Sequence, residues 1–230
     1  MLFSTFYGPL LLVAMQTVVL GDPIPIYNRD VHHPQARSSE TTDVTIIKGG
    51  PALYPRHMGS IEYDHDLDVR GIDAAHPLIF SRALSPDHQE ALRLHNAARA
   101  KKKLKPLVWD SKLWQDAKVW AKHMAKTGTF AHSPSKDRPN QGENLAYAYS
   151  SGKISNPITL STKAWLNEAK YYHGEVIPKG NFSDYGHYTQ CMWNGTTKVG
   201  FSSAQSKKGA WYTVARYSAP GNVVGKKPYK

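Results

Sequence analysis

Two stretches near the middle of the chain carry apolar residues at helical spacing. The first is predicted to begin at Ser85, because serine caps helix N-termini and Pro86 suits the first helical position. It ends at the lysines 101–103, whose charges are favourable at a helix C-terminus. The second is predicted to run from Asp110 to Gly128. Its apolar stripe consists of Leu113, Ala117, Trp120, Ala121 and Met124.

The pattern changes towards the C-terminus. A third helical stretch is predicted over residues 160–172, and a short helical or turn segment over residues 141–147. Three short runs rich in aromatic and β-branched residues follow at 187–193, 198–203 and 210–217. Turn-forming sequences separate these runs, which therefore predict an antiparallel meander. Helices followed by a meander indicate an α+β domain with its helices packed on the sheet.

The first 84 residues lack these patterns. Residues 1–21 contain an uncharged apolar run and are predicted to form a secretory signal peptide, with a buried N-terminal strand or helix as the alternative. Residues 22–84 contain six prolines and no sustained amphipathic period, so they are predicted to be an irregular linker or pro-region. The folded domain is expected over residues 85–225, followed by a basic tail at 226–230.

The charge is distributed unevenly along the chain. The net charge is +11, but residues 22–85 carry −3 and residues 86–230 carry +14. No nucleic-acid-binding motif accompanies the lysines, so nucleic acid is not an expected partner. A domain this basic is instead expected to favour anionic membrane or cell-wall surfaces.

Metal chemistry is limited by the cysteine content. A single cysteine excludes an intramolecular disulfide and a zinc site built mainly from cysteine, so a metal would need histidine and carboxylate ligands. Four such residues lie in otherwise apolar or turn-like segments: His132, Glu143, Glu168 and His187. They could hold Zn²⁺ with a water in an open position, or perform acid–base chemistry without a metal. Their spacing leaves open whether they converge or are satisfied individually.

Several motifs resemble one known family. Gly186–Trp193 reads GHYTQCMW and Val214–Asn222 reads VARYSAPGN, and both are similar to signatures of the CAP superfamily of cysteine-rich secretory, antigen-five and pathogenesis-related proteins. Further matches in the family's order are His95-Asn96 with Arg99, Ala131-His132-Ser133, Gly142-Glu143-Asn144-Leu145, and Trp165 with Glu168. The resemblance covers about residues 85–225.

The resemblance implies a three-layer α-β-α sandwich with a central antiparallel sheet. It also implies that His132, Glu143, Glu168 and His187 meet in a central cleft, which binds zinc or magnesium in some members. Hydrophobic clefts of the family bind sterols or fatty acids.

This chain departs from the family at its cysteines. Phe201 and Ala215 stand where secreted relatives often have cysteine, and Cys191 stands where valine is common. The chain thus resembles the disulfide-free branch, which includes a Golgi-associated member. Cys191 is expected to be a buried apolar residue rather than a nucleophile.

Two functional hypotheses follow. The favoured one is a secreted, non-enzymatic protein that binds sterols, fatty acids or other small lipids in a groove containing Tyr171, Tyr172 and Phe182. The alternative is a secreted metal-dependent or His/Glu-based protease with Glu143, Glu168 and His187 as catalytic groups. Ser133 makes a poor nucleophile candidate, because no nucleophile-elbow motif surrounds it. Sequons at Asn181 and Asn194 predict glycosylation of a secreted chain.

Overall fold

The computed structural model describes residues 17–18, 44–54 and 84–230. The helices are α1 (Pro86–Lys101), α2 (Ser111–Thr127), α3 (Pro157–Leu166) and α4 (Phe182–Cys191), with short 3-10 segments at Ser135–Asp137 and Asn167–Tyr171. The strands are β1 (Thr17–Val18), β2 (Val44–Lys48), β3 (Val108–Trp109), β4 (Gly142–Ser150), β5 (Lys198–Gln205) and β6 (Trp211–Ser218).

Two helices begin and end at the residues that the sequence indicates. The Ser85 hydroxyl accepts a hydrogen bond from the His88 amide (3.4 Å), and Asp110 Oδ1 accepts one from the Leu113 amide (3.0 Å). Gly128 ends α2 in the left-handed region at φ 76°, where it donates its N–H to Met124. Both caps and the glycine stop confirm the predicted helix boundaries.

The sheet has the order β1-β2-β4-β6-β5-β3. Its pairs are antiparallel except β3–β5, in which Val108 and Trp109 run parallel to Lys198 and Val199. The central strands are therefore antiparallel as predicted, and the short β3 adds one parallel pair at the edge. The parallel pair arises because the chain enters α2 directly after β3 and returns to β5 only after the other helices.

Two hydrophobic cores lie on the two faces of the sheet. On one face, α2 packs on β5 and β6, and the core there contains Ala117, Ala121, Met124, Val214 and, from β4, Leu145. On the other face, α1, α3 and α4 pack through Ala91, Trp165, Cys191, Phe201 and Tyr217. This arrangement confirms the α-β-α sandwich. Alternate β6 side chains point to opposite faces, so this one strand contributes to both cores.

Two segment assignments are wrong. Residues 187–193 were expected to be a strand but mostly form the end of α4, and residues 141–147 were expected to be helical or a turn but form most of β4. Every residue from Tyr185 to Cys191 is buried, and so are most residues of β4. An element buried on all sides shows neither the helical nor the alternating period that normally identifies it.

Part of the predicted irregular region belongs to the fold. Residues 44–54, here called the strap, begin with β2, which pairs with β4 from Val44↔Ser150 to Lys48↔Ala146. Ala52 and Tyr54 are buried, and Tyr54 bridges to Val223. The prediction missed this because backbone pairing along an edge requires no amphipathic period. The remainder of residues 22–84 lies outside the described residues.

The predicted signal peptide also lies almost wholly outside the described residues. Thr17 and Val18 are described, and their backbones pair with Ile47 and Ile46 of β2. Within the described parts of the chain, no helix is both long enough and apolar enough to cross a membrane.

Candidate functional site

The Glu143 carboxylate lies at the centre of one polar cluster. It is fully buried on β4, and its Oε1 lies 2.6 Å from His132 Nδ1 and accepts the Ser133 amide at 3.0 Å. Its Oε2 accepts the Ser133 hydroxyl at 2.9 Å and lies 2.8 Å from Arg216 Nε on the neighbouring strand. Burial opposes ionisation, but the hydrogen bond from His132 and the Arg216 charge prevail and keep the pKa of Glu143 below its usual value. Ser133 is buried between these groups and is not poised as a nucleophile.

Glu168 and His187 form a second cluster. Glu168 is on the 3-10 segment after α3, and its Oε1 lies 2.8 Å from His187 Nδ1. Its Oε2 accepts the backbone amides of His187 (2.9 Å) and Tyr188 (3.0 Å). The Lys48 ammonium lies 2.6 Å from Oε1. The other ring nitrogen of His187, Nε2, is buried and has no hydrogen-bond partner in the part of the chain that the structure describes.

The strap connects these two clusters. Lys48 contacts Glu168 in the second cluster, while the Gly50 carbonyl faces His132 Nε2 in the first. Lys48 and Gly50 are two positions apart, so one short segment contacts both clusters, and the space that the clusters border along the strap is here called the cleft. Both ring nitrogens of His132 therefore face oxygen acceptors, one on Glu143 and one on Gly50.

The four predicted metal ligands are thus brought together as two pairs rather than as one set. No group of three or more histidine, cysteine, aspartate or glutamate residues within the described ranges is arranged to hold a metal ion. Glu143 faces Arg216, Glu168 faces Lys48, and His132 Nε2 faces Gly50. In this arrangement the cleft does not fit a metal ion, because its carboxylates already have cationic partners.

A cavity of about 400 Å³ lies beside the second cluster, between β2 and α3. Its apolar lining comes from Ile46, Leu160, Ala164 and Tyr171. Three lysines also line it, Lys48, Lys163 and Lys170, together with the Glu168 carboxylate that pairs with Lys48. The cavity therefore combines an apolar wall with a concentration of positive charge.

The three aromatic residues predicted to bind lipid differ in position. Tyr171 lines the cavity and is 45% exposed. Tyr172 is buried in the core beside Tyr185, and its hydroxyl donates to the Glu175 carbonyl at 2.9 Å. Phe182 packs edge-on against Tyr185. Only Tyr171 of the three reaches the cavity.

The two sequon asparagines are exposed, Asn181 immediately before α4 and Asn194 in a turn. The Asn181 amide contacts Asp184 at 2.5 Å, and the Thr196 hydroxyl of the second sequon donates to the Ala219 carbonyl at 2.8 Å. Glycosylation at either position stays a prediction.

Sequence reasoning missed the strap residues and Arg216 as parts of the site. Lys48 stood at the end of a short β-branched run and before Gly49-Gly50-Pro51, a sequence typical of a linker. The alternation of β6 could have placed Arg216 on the same face as Val214 and hence opposite Glu143.

Comparison with known proteins agrees with this fold. The family model of the cysteine-rich secretory protein (CAP) family matches residues 92–217. Pathogenesis-related protein 1C of Nicotiana tabacum is 33% identical over 144 residues, which cover 61% of this chain and 80% of that protein. Golgi-associated plant pathogenesis-related protein 1 of Homo sapiens is 34% identical over 137 residues, covering 60% of this chain and 85% of that protein.

A solved structure shows the same architecture. The crystal structure of NaASP2 with Zn²⁺ superposes with a TM-score of 0.56 at 26% identity, covering 64% of this chain and 87% of that one. The matched family model spans more than half of the chain and includes Glu143, Glu168 and His187. The chain therefore belongs to the CAP family of cysteine-rich secretory proteins.

Proposed function

We propose that this protein is an extracellular lipid-binding CAP protein whose ligand lies in the cavity between β2 and α3. The observation that supports the proposal is the cavity lining, in which apolar residues adjoin three lysines. Its volume of about 400 Å³ lies within the range of small-molecule pockets. Relatives named as secreted or salivary proteins support the extracellular location.

The lining favours a lipid with an acidic head group over a neutral sterol. A sterol hydroxyl needs one or two polar partners, whereas Lys163 and Lys170 are exposed cations at the mouth of an apolar cavity. A fatty-acid carboxylate would pair with these ammonium groups, while its chain would lie along Leu160, Ala164 and Ile46. Fatty acids are therefore the proposed ligand class, with sterols as the competing class.

A displacement assay with a fluorescent fatty acid tests this proposal. The Lys163→Gln/Lys170→Gln double variant is expected to weaken fatty-acid binding about tenfold, and Ala164→Trp, which fills the cavity, is expected to abolish it. The matched control is Lys122→Gln/Lys126→Gln, which removes two exposed lysines from α2 on the opposite face of the sheet. Tighter binding of cholesterol than of fatty acid, or equal binding by all variants, would refute it.

Charge at the end of α1 supports association with anionic surfaces. Lys102 Nζ lies 5.3 Å from the centre of the Tyr229 ring, so the C-terminal residues lie beside the exposed lysines at the end of α1. The surrounding lysines are Lys101, Lys103, Lys105, Lys226, Lys227 and Lys230. Sedimentation with phosphatidylserine vesicles should exceed that with phosphatidylcholine vesicles and fall as salt rises. Equal binding to both vesicles would contradict it.

No specific contact favours the protease alternative. The oxygens of Glu143 and Glu168 all face hydrogen-bond or ion-pair partners. A general base must face the proton that it removes, and neither carboxylate does so here.

A further inference from the structure

The strap contacts one member of each pair of predicted metal ligands, Glu168 and His132. Glu168 is 1% exposed, and the Lys48 side chain that pairs with it is only 15% exposed. A buried carboxylate requires a compensating cation or hydrogen bonds, and the ammonium supplies the charge. The same segment faces His132 Nε2 with a carbonyl oxygen, so both pairs of the cleft are contacted by one short stretch of chain.

Further contacts fix the strap along its length. The Gly49 amide donates to the Leu145 carbonyl at 3.3 Å, which continues the β2–β4 pairing toward the cleft. At the C-terminal end of the strap, the Tyr54 hydroxyl donates a hydrogen bond to the Gln141 carbonyl at 2.8 Å and accepts one from the Arg138 guanidinium. Burial raises the pKa of Tyr54 to about 12, so this hydroxyl stays protonated.

Gly186 provides the space that the strap needs. It precedes His187 in α4, and a side chain on it would overlap the Pro51 ring and come within 2.9 Å of the Phe182 ring. The absence of a side chain at this position therefore lets Pro51 lie against α4. The strap is therefore held by packing of Pro51 against α4 as well as by the ion pair between Lys48 and Glu168.

One buried group of the second cluster has no hydrogen-bond partner. His187 Nδ1 faces Glu168, so its Nε2 presents either a lone pair or an N–H to a buried space, and no acceptor or donor of the described residues meets it. Buried polar atoms in native structures are usually hydrogen-bonded, so this nitrogen is available to a water or to a ligand.

We propose that the strap is an internal occupant of this cleft and that the Lys48 ammonium takes the place of a cation there. Strap and divalent cation then compete for Glu168 and His132. While the strap is in place, Lys48 excludes a divalent cation from Glu168 and the Gly50 carbonyl excludes one from His132 Nε2. This inference concerns the cleft and stands whether or not the neighbouring cavity binds lipid.

Titration of the full-length chain with Zn²⁺ alone, followed by calorimetry, tests the competition. Lys48→Met removes the ammonium and keeps most of the stem, and it is expected to bind Zn²⁺ at least tenfold more tightly than the unaltered chain. Lys163→Met removes a lysine of the same cavity that does not pair with Glu168, and it should leave Zn²⁺ affinity unchanged. Adding Glu168→Gln to Lys48→Met should abolish the gain. Equal Zn²⁺ affinity of the unaltered chain and Lys48→Met would overturn the proposal.

A second variant tests the strap without altering any charge. Gly186→Ala is expected to push Pro51 outward, which should accelerate amide hydrogen exchange over residues 44–54 and also raise Zn²⁺ affinity. Gly195→Ala is the matched control, since an added side chain there meets its nearest neighbour at an ordinary 3.7 Å. Because coupling is reciprocal, Zn²⁺ should accelerate exchange of the strap in the unaltered chain and leave β6 unchanged. If Zn²⁺ leaves the rate of amide hydrogen exchange in the strap unaltered or slows it, the competition is refuted.

Discussion

A buried histidine gives the fold a defined pH dependence. His95 on α1 is fully buried, its Nδ1 lies 2.9 Å from the Ala91 carbonyl, and its Nε2 lies 3.0 Å from the Tyr217 hydroxyl. Burial, with a smaller contribution from the Arg99 charge, lowers the pKa of His95 to about 4. The unfolded chain has a histidine pKa of about 6.5, so it binds the proton first as the pH falls. The stability contributed by neutral His95 is therefore complete above about pH 6.5 and is lost as the pH falls towards 4.

The size of the effect follows from these two pKa values. Between pH 7.5 and 4.5, the difference in proton binding lowers the free energy of unfolding by about 2.5 kcal/mol. The comparison is with His95→Gln, whose amide can donate and accept but does not titrate. The stability advantage of the unaltered chain over this variant should shrink by that amount between the two pH values.

Urea unfolding followed by tryptophan fluorescence measures this change. With a slope of about 2 kcal/mol per molar urea, the midpoint difference between the two proteins should change by about 1 M. Using the difference cancels other titrating groups, including His88, whose pKa is lowered by burial as well. A midpoint difference that is the same at both pH values would refute the argument that His95 is neutral because it is buried.

Three further predictions concern the packing of the domain. Gly200→Ala should lower the free energy of urea unfolding by about 3 kcal/mol, because a side chain there would overlap the Trp114 backbone nitrogen. The control Gly195→Ala should lower it by less than about 0.5 kcal/mol, and equal effects of the two variants would contradict the close approach at Gly200. Arg99→Met should cost at least about 3 kcal/mol in the same assay, because the buried guanidinium donates to four backbone carbonyls, and a near-neutral result would show that these bonds contribute little. Cys191 should resist alkylation in the folded protein and react on unfolding, because it is fully buried and its pKa is raised to about 12; rapid labelling under native conditions would contradict this.

The sequence predicts those elements whose signals are local. Ser85, Asp110 and Gly128 mark helix ends through hydrogen bonds within one turn, so their neighbours in the chain suffice to identify them. The β4 and α4 assignments failed because both segments are enclosed by other elements. Their period is hidden by burial that only the tertiary structure determines.

For the candidate site too, local sequence identifies the residues but not their contacts. His132, Glu143, Glu168 and His187 could be named from their residue types and motifs, but the partner of each could not. The cationic partner of Glu168 is Lys48, which lies 120 positions before it in the chain. No local pattern connects residues so distant, because their contact follows from the register of β2 on β4.

The strap also covers one edge of the sheet. Five residues of β4 pair with β2, which covers an edge that would otherwise present open N–H and C=O groups. Such an edge is a template for strand addition by any chain with a matching register. A chain that lost the strap would therefore gain a self-associating surface at the moment its cleft opened, so unmasking of the cleft and a change in oligomeric state would coincide.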